Sequence, residues 1–268
     1  LPGQLEQLSA AGWLKEIEAV GISTRPRAVE GSYMPCFLAG ESVGSSIAQA
    51  LGVPVYAVSH QQGHIAAAAW SAGGLELLDR PLLAWHLSGG TTELLYVEPE
   101  GCNVRVQCIG GSRDISAGQL IERTGKLLGL PFPAGKALDA LAGSPSEAHP
   151  FRVKLDGLYF SLSGMENKVK ELTQRGSAPE EIARFALGSV CDVVRRATAE
   201  ARKQYPGLPV LCSGGVASNS RLRAELASFG AVFARPEFST DNAMGTAILA
   251  WRSRREGRES WSRRQFTV

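Results

Sequence analysis

Paired cysteines, long apolar runs and a charge of one sign are all missing from this sequence. The five cysteines stand at 36, 102, 108, 191 and 212, none of them spaced as CxxC. Without that spacing a zinc knuckle or dithiol redox centre has no start, and the odd, scattered set fits a reducing compartment. No uncharged apolar stretch approaches the roughly 18 residues of a membrane span, and the N-terminus lacks the order of a signal peptide, so a cytoplasmic protein without a membrane partner is expected. Twenty-eight basic against 26 acidic residues leave a formal charge of +2, too little for a whole-molecule field that attracts nucleic acid. Low-complexity tracts and internal repeats are also missing. Leu1 in place of an initiating Met is expected of a chain that is trimmed, processed or only partly represented.

What is present is 268 residues, 44% of them hydrophobic, enough for two lobes. Apolar spacing predicts a helix to about residue 16, a strand at 19–22, a helix over 35–51, a strand at 53–58 and a helix over 61–71. Two strands joined by residues 88–92 follow across 82–97, with a third at 104–109. Helices are predicted near 115–129, 134–143, 165–174 and 178–204, then a strand at 209–212, then helices near 218–227 and 241–256. The reading is an alternating α/β chain.

His60 and His64 are four residues apart in SHQQGH, and on a helix that step puts both imidazoles on one face. Two such ligands are half of a tetrahedral metal site; Asp241, at the start of the last predicted helix, is the candidate third. The plainer alternative is that Thr240 or Asp241 caps that helix and the histidines are ordinary polar residues. A zincin mechanism is disfavoured because Gln61 stands where the water-activating glutamate belongs.

Two glycine loops follow strands. Ser88-Gly89-Gly90-Thr91 offers hydroxyls and unobstructed backbone to a phosphate, although two glycines in a hairpin often serve only the turn. Gly214-Gly215, ahead of a helix beginning near Ser218, offers a helix N-terminus, although Ser218 could simply cap it. Two such loops in one α/β chain favour a nucleotide.

Taken in order, SHQQGH, LSGGTTELL, DISAGQLIERTGKLLGLPFPAGKALDAL, YFSLSGMENKV, SGGVASNSRLR and FSTDNAM resemble the TsaD/glycoprotease family over about residues 50–250. The resemblance implies an actin/hsp70-like (ASKHA, ribonuclease H-like) two-lobed fold whose first lobe is incomplete at its N-terminus, lacking the family's opening phosphate hairpin. It places the first lobe at 1–80, completed by 241–268, and the second at 81–240 with a helical insertion at about 114–205. It implies ATP, AMP or threonylcarbamoyl-AMP as ligand, and transfer of threonylcarbamoyl to adenosine 37 of tRNA without a protein nucleophile. By matching position, His60, His64 and Asp241 would hold iron or zinc. Leu87, Ser88, Gly89, Gly90 and Thr91 would contact phosphate, Glu122 (usually Asp) the ribose, Gly135 the sugar, and Asn219, beside Gly214 and Gly215, the nucleotide. Gln62, Ile115 and Gln119 replace residues that are usually acidic in the family.

These departures leave a second expectation, a non-catalytic paralogue that binds nucleotide or a partner. A metalloprotease, after the older family name, is the weakest. Six arginines with Trp251 and Trp261 close the chain and could grip tRNA, but arginines at a helix end are accounted for by its dipole. Only the strands near Val20 and Val55 are assignable to the first-lobe sheet, so an open edge should drive pairing, as a homodimer or with a TsaB-like partner.

Overall fold

The computed structural model describes residues 2–143, 151–239, 242–258 and 260. They fall into two compact units, the first drawn from the described residues of 1–67, 99–105 and 241–268, the second from those of 68–98 and 106–240.

In the first unit α1 (Pro2–Ala10) is short of the predicted helix, because Gly12 takes a left-handed φ of 75° and only a 3-10 turn follows at Trp13–Glu16. The strands β1 (Val20–Arg25) and β2 (Val55–Ser59) pair in parallel, Val20 opposite Val55 and Ile22 opposite Ala57. Between them runs α2 (Pro35–Leu51), which opens on a proline and closes on Gly52 at φ 69°. Strand periodicity sends neighbouring residues to opposite faces. Ile22 points into a small core with Ala48 of α2 and Val55. Gly21 points the other way, toward α9 (Met244–Arg255), where a Cβ would stand 2.6 Å from the Thr246 carbonyl oxygen. The missing side chain at Gly21 is what lets α9 lie directly on the strand. From the end of β2 the chain passes straight into α3 (His60–Ser71).

The second unit is built around a six-stranded sheet in the order β6-β5-β4-β3-β7-β8. The strands β3 (Leu82–Leu87) and β4 (Thr92–Glu100) form the expected hairpin, with Leu87 opposite Thr92. β5 (Asn103–Ser112) is followed by α4 (Ala117–Leu127) and α5 (Gly135–Ala142). The two-residue β6 (Tyr159–Phe160) then leads into α6 (Ser163–Gln174) and α7 (Pro179–Gln204). β7 (Val210–Ser213), α8 (Ser220–Ala227) and the short β8 (Val232–Phe233) complete it.

β6 and β8 have only two residues each, too few for alternation to announce them. β3 and β7 run parallel, Leu83 opposite Val210 and His86 opposite Ser213. Leu83, Trp85 and Leu87 share one face and pack with Val190, Val194 and Ala197 of α7 in the main core. Trp85 is fully buried there, its Nε1–H donating to Thr198 Oγ1 at 2.9 Å. α7 starts on Pro179 with Glu180 and Glu181 in its first turn and ends with Arg202 and Lys203, charges that suit its dipole.

Candidate metal and nucleotide sites

The histidine pair sits at the start of α3. Ser59 N–H donates to Gln62 Oε1 at 2.8 Å and Gln62 N–H to Ser59 Oγ at 3.2 Å, a reciprocal capping box that begins the helix immediately after β2. Gln62 Nε2 also donates to the Val104 carbonyl at 2.7 Å, inside the protein. A glutamate could accept from Ser59 but could not donate to Val104, so the departure at Gln62 has a structural use. The Ser-x-x-Gln spacing signals the cap in the sequence; the Val104 bond has no such signal.

With the helix begun at His60, the predicted one-face arrangement follows. The two Nε2 atoms are 3.0 Å apart and the rings meet edge to face at 4.3 Å between centroids. Two imidazoles on one tetrahedral ion at about 2.0–2.1 Å would have nitrogens roughly 3.3 Å apart, so the pair is spaced as two ligands need to be. Neutral imidazole nitrogens suit iron or zinc. Among the described residues no group of three His, Cys, Asp or Glu gathers around an ion. Asp241 and Thr240, the expected third ligand and its alternative as cap, lie outside the described residues. The Met244 N–H at the first turn of α9 donates to Asn242 Oδ1 at 3.0 Å.

In the second unit, both glycine loops leave the carboxyl ends of adjacent parallel strands, the place where open α/β sheets bind ligands. Gly214, at φ 93°, lies against the end of β3; a Cβ there would be 2.1 Å from the Leu87 carbonyl oxygen. Around the first loop, Ser88 Oγ accepts from Thr91 N–H at 3.0 Å and Gly90 N–H at 3.3 Å and meets Thr91 Oγ1 at 2.9 Å. Those two N–H groups turn inward to the serine, so the loop presents hydroxyls and bare Cα atoms. No heavy atom would come within 4 Å of a Cβ at Gly89 or Gly90, leaving room for a ligand.

The N-terminus of α4 docks on this turn. Ser116 Oγ donates to the Gly89 carbonyl at 2.7 Å and Ala117 N–H to Thr92 Oγ1 at 2.8 Å. Gly118 permits the approach, since a Cβ would be 2.4 Å from the Ser88 carbonyl oxygen. Ser116 and Gln119 form a second capping box, which gives the departure at Gln119 a role in starting α4. Ile115 packs against the main core.

Glu122 points both carboxylate oxygens at Ala134 N–H, at 2.9 and 3.1 Å, anchoring the start of α5 where Gly135 follows. It also lines a cavity of 380 Å³ with Arg123, Lys126, Gly129, Leu130, Phe132 and Ala134. That size is within the range of small-molecule sites, and the carboxylate keeps acceptor capacity beyond one N–H. Asn219, not Ser218, caps α8, which begins two residues later than expected; its Oδ1 accepts from Leu222 N–H at 2.9 Å. An asparagine side chain reaches the third N–H of a helix, which displaces the start from Ser218. Asn219 Nδ2 donates to Asp139 Oδ1 at 2.8 Å, and Asp139 also takes Ser220 N–H at 3.1 Å. Among the described residues one Nδ2 hydrogen of Asn219 is left for a ligand.

Asp139 and Asp114 are the residues that sequence reading overlooked. Asp139 shows only the step of four from Gly135. Asp114 accepts from Ile115 and Leu162 N–H, both at 2.8 Å, from Ser163 N–H at 3.1 Å, and from the Ser161 hydroxyl. Burial alone would raise its carboxyl pKa, but the hydrogen bonds from Ser161, Leu162 and Ser163 outweigh it and hold the group well below its usual 3.8. It clamps the approach to α4 onto the start of α6. Cys191 and Cys212 are buried thiols; burial pushes Cys212 up to about 12 and Cys191 up as well, so neither is a nucleophile at neutral pH.

The family model described as TsaD: tRNA N6-adenosine threonylcarbamoyltransferase matches residues 6–248. The chain belongs to this family. A tRNA N6-adenosine threonylcarbamoyltransferase of Enterococcus faecalis is 35% identical over 218 residues, covering 78% of this chain and 59% of that protein. One from Streptococcus pneumoniae is 33% identical over 233 residues, 83% of this chain and 66% of that protein. The chain thus spans about three fifths to two thirds of the length of these relatives.

The fold is of the actin/hsp70-like class. Full-length HypF, solved in a phosphate- and nucleotide-bound form, superposes with a TM-score of 0.59 at 15% identity, over 79% of this chain and 45% of that one. HypF of T. kodakarensis gives 0.57 at 14% identity, over 81% of this chain and 39% of that one. At such identity the likeness concerns the fold alone. No helix among the described residues is long and apolar enough to cross a membrane.

Proposed function

We propose that this chain is a metal- and nucleotide-binding transferase that moves threonylcarbamoyl from its adenylate to adenosine 37 of tRNA. The observation that carries this reading is the pair of glycine loops on the adjacent ends of β3 and β7, with the start of α4 seated on the first of them. Phosphate oxygens of ATP, AMP or threonylcarbamoyl-AMP would meet the Ser88 and Thr91 hydroxyls beside Leu87, Gly89 and Gly90, in the partial positive field of the α4 terminus. Glu122 would accept from ribose hydroxyls next to Gly135, and the remaining Nδ2 hydrogen of Asn219, beyond Gly214 and Gly215, would fix the nucleotide's orientation. His60, His64 and Asp241 would hold one iron or zinc ion, which when bound supplies a Lewis acid for the carbamoyl or phosphate oxygen. No side chain serves as nucleophile; the chain's own part is to position, and positioning alone can supply several kcal/mol of a barrier, up to roughly 7–11.

A second reading is favoured by one observation. Both Glu122 oxygens already bind Ala134 N–H, so a structural use competes with ribose binding. On that reading the chain is a non-catalytic relative that binds nucleotide or a partner protein. The reaction belongs in the cytoplasm, and a homodimer or a TsaB-like partner would complete the assembly. The deciding experiment supplies threonylcarbamoyl-AMP, iron or zinc and unmodified tRNA, and follows the modified adenosine by mass spectrometry. Product that disappears in the His60→Ala/His64→Ala variant supports the transferase. Adenine nucleotide binding without product selects the second reading, and no binding at millimolar nucleotide removes the transferase and leaves the second reading in its partner-binding form.

A further inference from the structure

The arginine-rich end of the chain has an ordinary explanation, that its cations offset the negative pole of the last helix. The hydrogen bonds of α9 weaken that explanation. Gly257, at φ 69°, closes the helix: Gly257 N–H donates to the Arg254 carbonyl and Arg258 N–H to the Ser253 carbonyl, both at 3.2 Å. Glu256 N–H takes the Arg252 carbonyl at 3.1 Å. This is a complete Schellman closure by main-chain donors, so the last carbonyls need no arginine side chain. A helix terminus carries only about half a charge, whereas residues 251–258 bring four arginines against one glutamate.

Trp251 sharpens the point. It stays 51% exposed, with the Arg255 guanidinium over its ring at 5.1 Å from the centroid. Steps of three and four put Trp251, Arg254 and Arg255 on one face of α9. Beyond the helix, Arg258 stays near the surface of its own unit: its guanidinium lies over Gly101 and its carbonyl accepts from Tyr56 Oη at 3.3 Å. Beneath them Ser253 is buried, its hydroxyl 3.2 Å from Cys102 Sγ. The result is an exposed aromatic ring with arginines beside it, held on a packed helix.

We infer that the face of α9 bearing Trp251, Arg254 and Arg255 docks the substrate RNA, the arginines on consecutive phosphates and the indole against an unpaired base. This rests on the transferase reading, which makes tRNA the partner; the chemistry it adds is the combination of stacking platform and fixed cations that single-stranded RNA takes. An anionic membrane could use the same charges and ring, but the transferase reading supplies an RNA and no membrane. Arg263, Arg264 and Trp261 lie outside the described residues and carry no part of the inference.

The test measures binding of an unmodified tRNA transcript to the whole chain by fluorescence anisotropy across a salt series. Arg254→Gln/Arg255→Gln, Trp251→Ala and Trp251→Phe are compared, each checked for folding by its melting curve and for intact AMP binding. The double variant should bind about tenfold more weakly, and its log K against log salt slope should flatten by about 1.4–1.8, two phosphate contacts' worth. Trp251→Ala should lose about fivefold or more while Trp251→Phe keeps most of the affinity. An unchanged slope in the double variant overturns the inference, as does a loss confined to phosphatidylglycerol vesicles with tRNA binding intact. Threonylcarbamoyl transfer with an unchanged slope removes the docking face alone; the expected slopes without transfer support the face and remove the transferase reading.

Discussion

The two units differ sharply in how much apolar surface each puts away. In the second, α7 buries 13 of its 26 residues against a six-stranded sheet. In the first, α2 buries only Glu41 and Ala48 of its 17 and covers a small cluster with Ile22 and Val55, while Val58, Ile65, Val104 and Leu249 are buried elsewhere in the unit. Tyr33 and Met34 at the start of α2 are 63% and 51% exposed, and Leu38 and Val43 along it 45% and 42%. The nucleotide loops therefore stand on a thick platform, whereas packing in the first unit is thin along α2 but not along α3, where Gln62, Ile65 and Ala66 behind the histidine pair are buried. A site that must hold phosphate oxygens to fractions of an ångström gains from a rigid support.

The largest expected effect tests that contrast directly. Trp85→Ala empties a fully buried site and removes the donor to Thr198 Oγ1, which keeps its own bond to the Val194 carbonyl, costing about 3–5 kcal/mol. Ile22→Ala in the first unit should cost nearer 2 kcal/mol, the low end for such truncations, because its surroundings can collapse. Denaturant titration of both variants measures the difference, and equal losses would mean that the first unit is not the weaker.

Next in size is Gly214→Ala. It places a Cβ 2.1 Å from the Leu87 oxygen at a φ of 93°, a strain of about 1–3 kcal/mol. AMP affinity measured by calorimetry should fall while the histidine pair keeps its metal. Metal loss in this variant would show that the two sites are not supported separately.

Gln62→Glu should be milder, about 1–2 kcal/mol, because it leaves the Val104 carbonyl without its donor inside the protein while the capping bond to Ser59 survives. The cost should appear as a lowered melting temperature, and a variant as stable as the parent would show that the bond to Val104 contributes nothing.

The smallest effect is tied to pH. Asp114 has its carboxyl pKa depressed below 3.8, so the stability it contributes is complete above that value and is lost as pH falls through the lowered one. Asp114→Asn should therefore cost about 1 kcal/mol at pH 7, exposed as the group is, and the gap from the parent should narrow from about pH 4 downward. A gap of constant size between pH 7 and pH 3, read from denaturant curves, would mean that the charge of Asp114 plays no part.

Much of the fold was legible because its elements are long. The 26-residue α7, the hairpin of β3 and β4 and the 17-residue α2 each show several periods of their pattern. β6 and β8 show none. At the sites, His60 and His64 were legible as a pair because a four-residue step is a local property of a helix. Asn219 was found through its motif, but its job as cap of α8 was not, the alternative of a helix cap having been placed at Ser218 in a loop where either residue could cap. Gln62 and Gln119 read as softened acidic positions, yet both are third residues of capping boxes, one of which also reaches Val104.

By itself, then, the sequence determined the kind of each long element, the two glycine loops, the histidine step and the order of motifs that marks the family. These depend on dihedral preferences and spacing within a turn or a strand, which neighbouring residues settle among themselves. Tertiary structure decided that Gly214 lies against Leu87, that Gly118 admits α4 to the Ser88 turn, that Asn219 meets Asp139 across 80 residues, and that Gln62 meets Val104 across 42. Such contacts follow from which strand lies beside which, and that order is chosen by burying all the apolar faces of a unit at once rather than by any one stretch of chain.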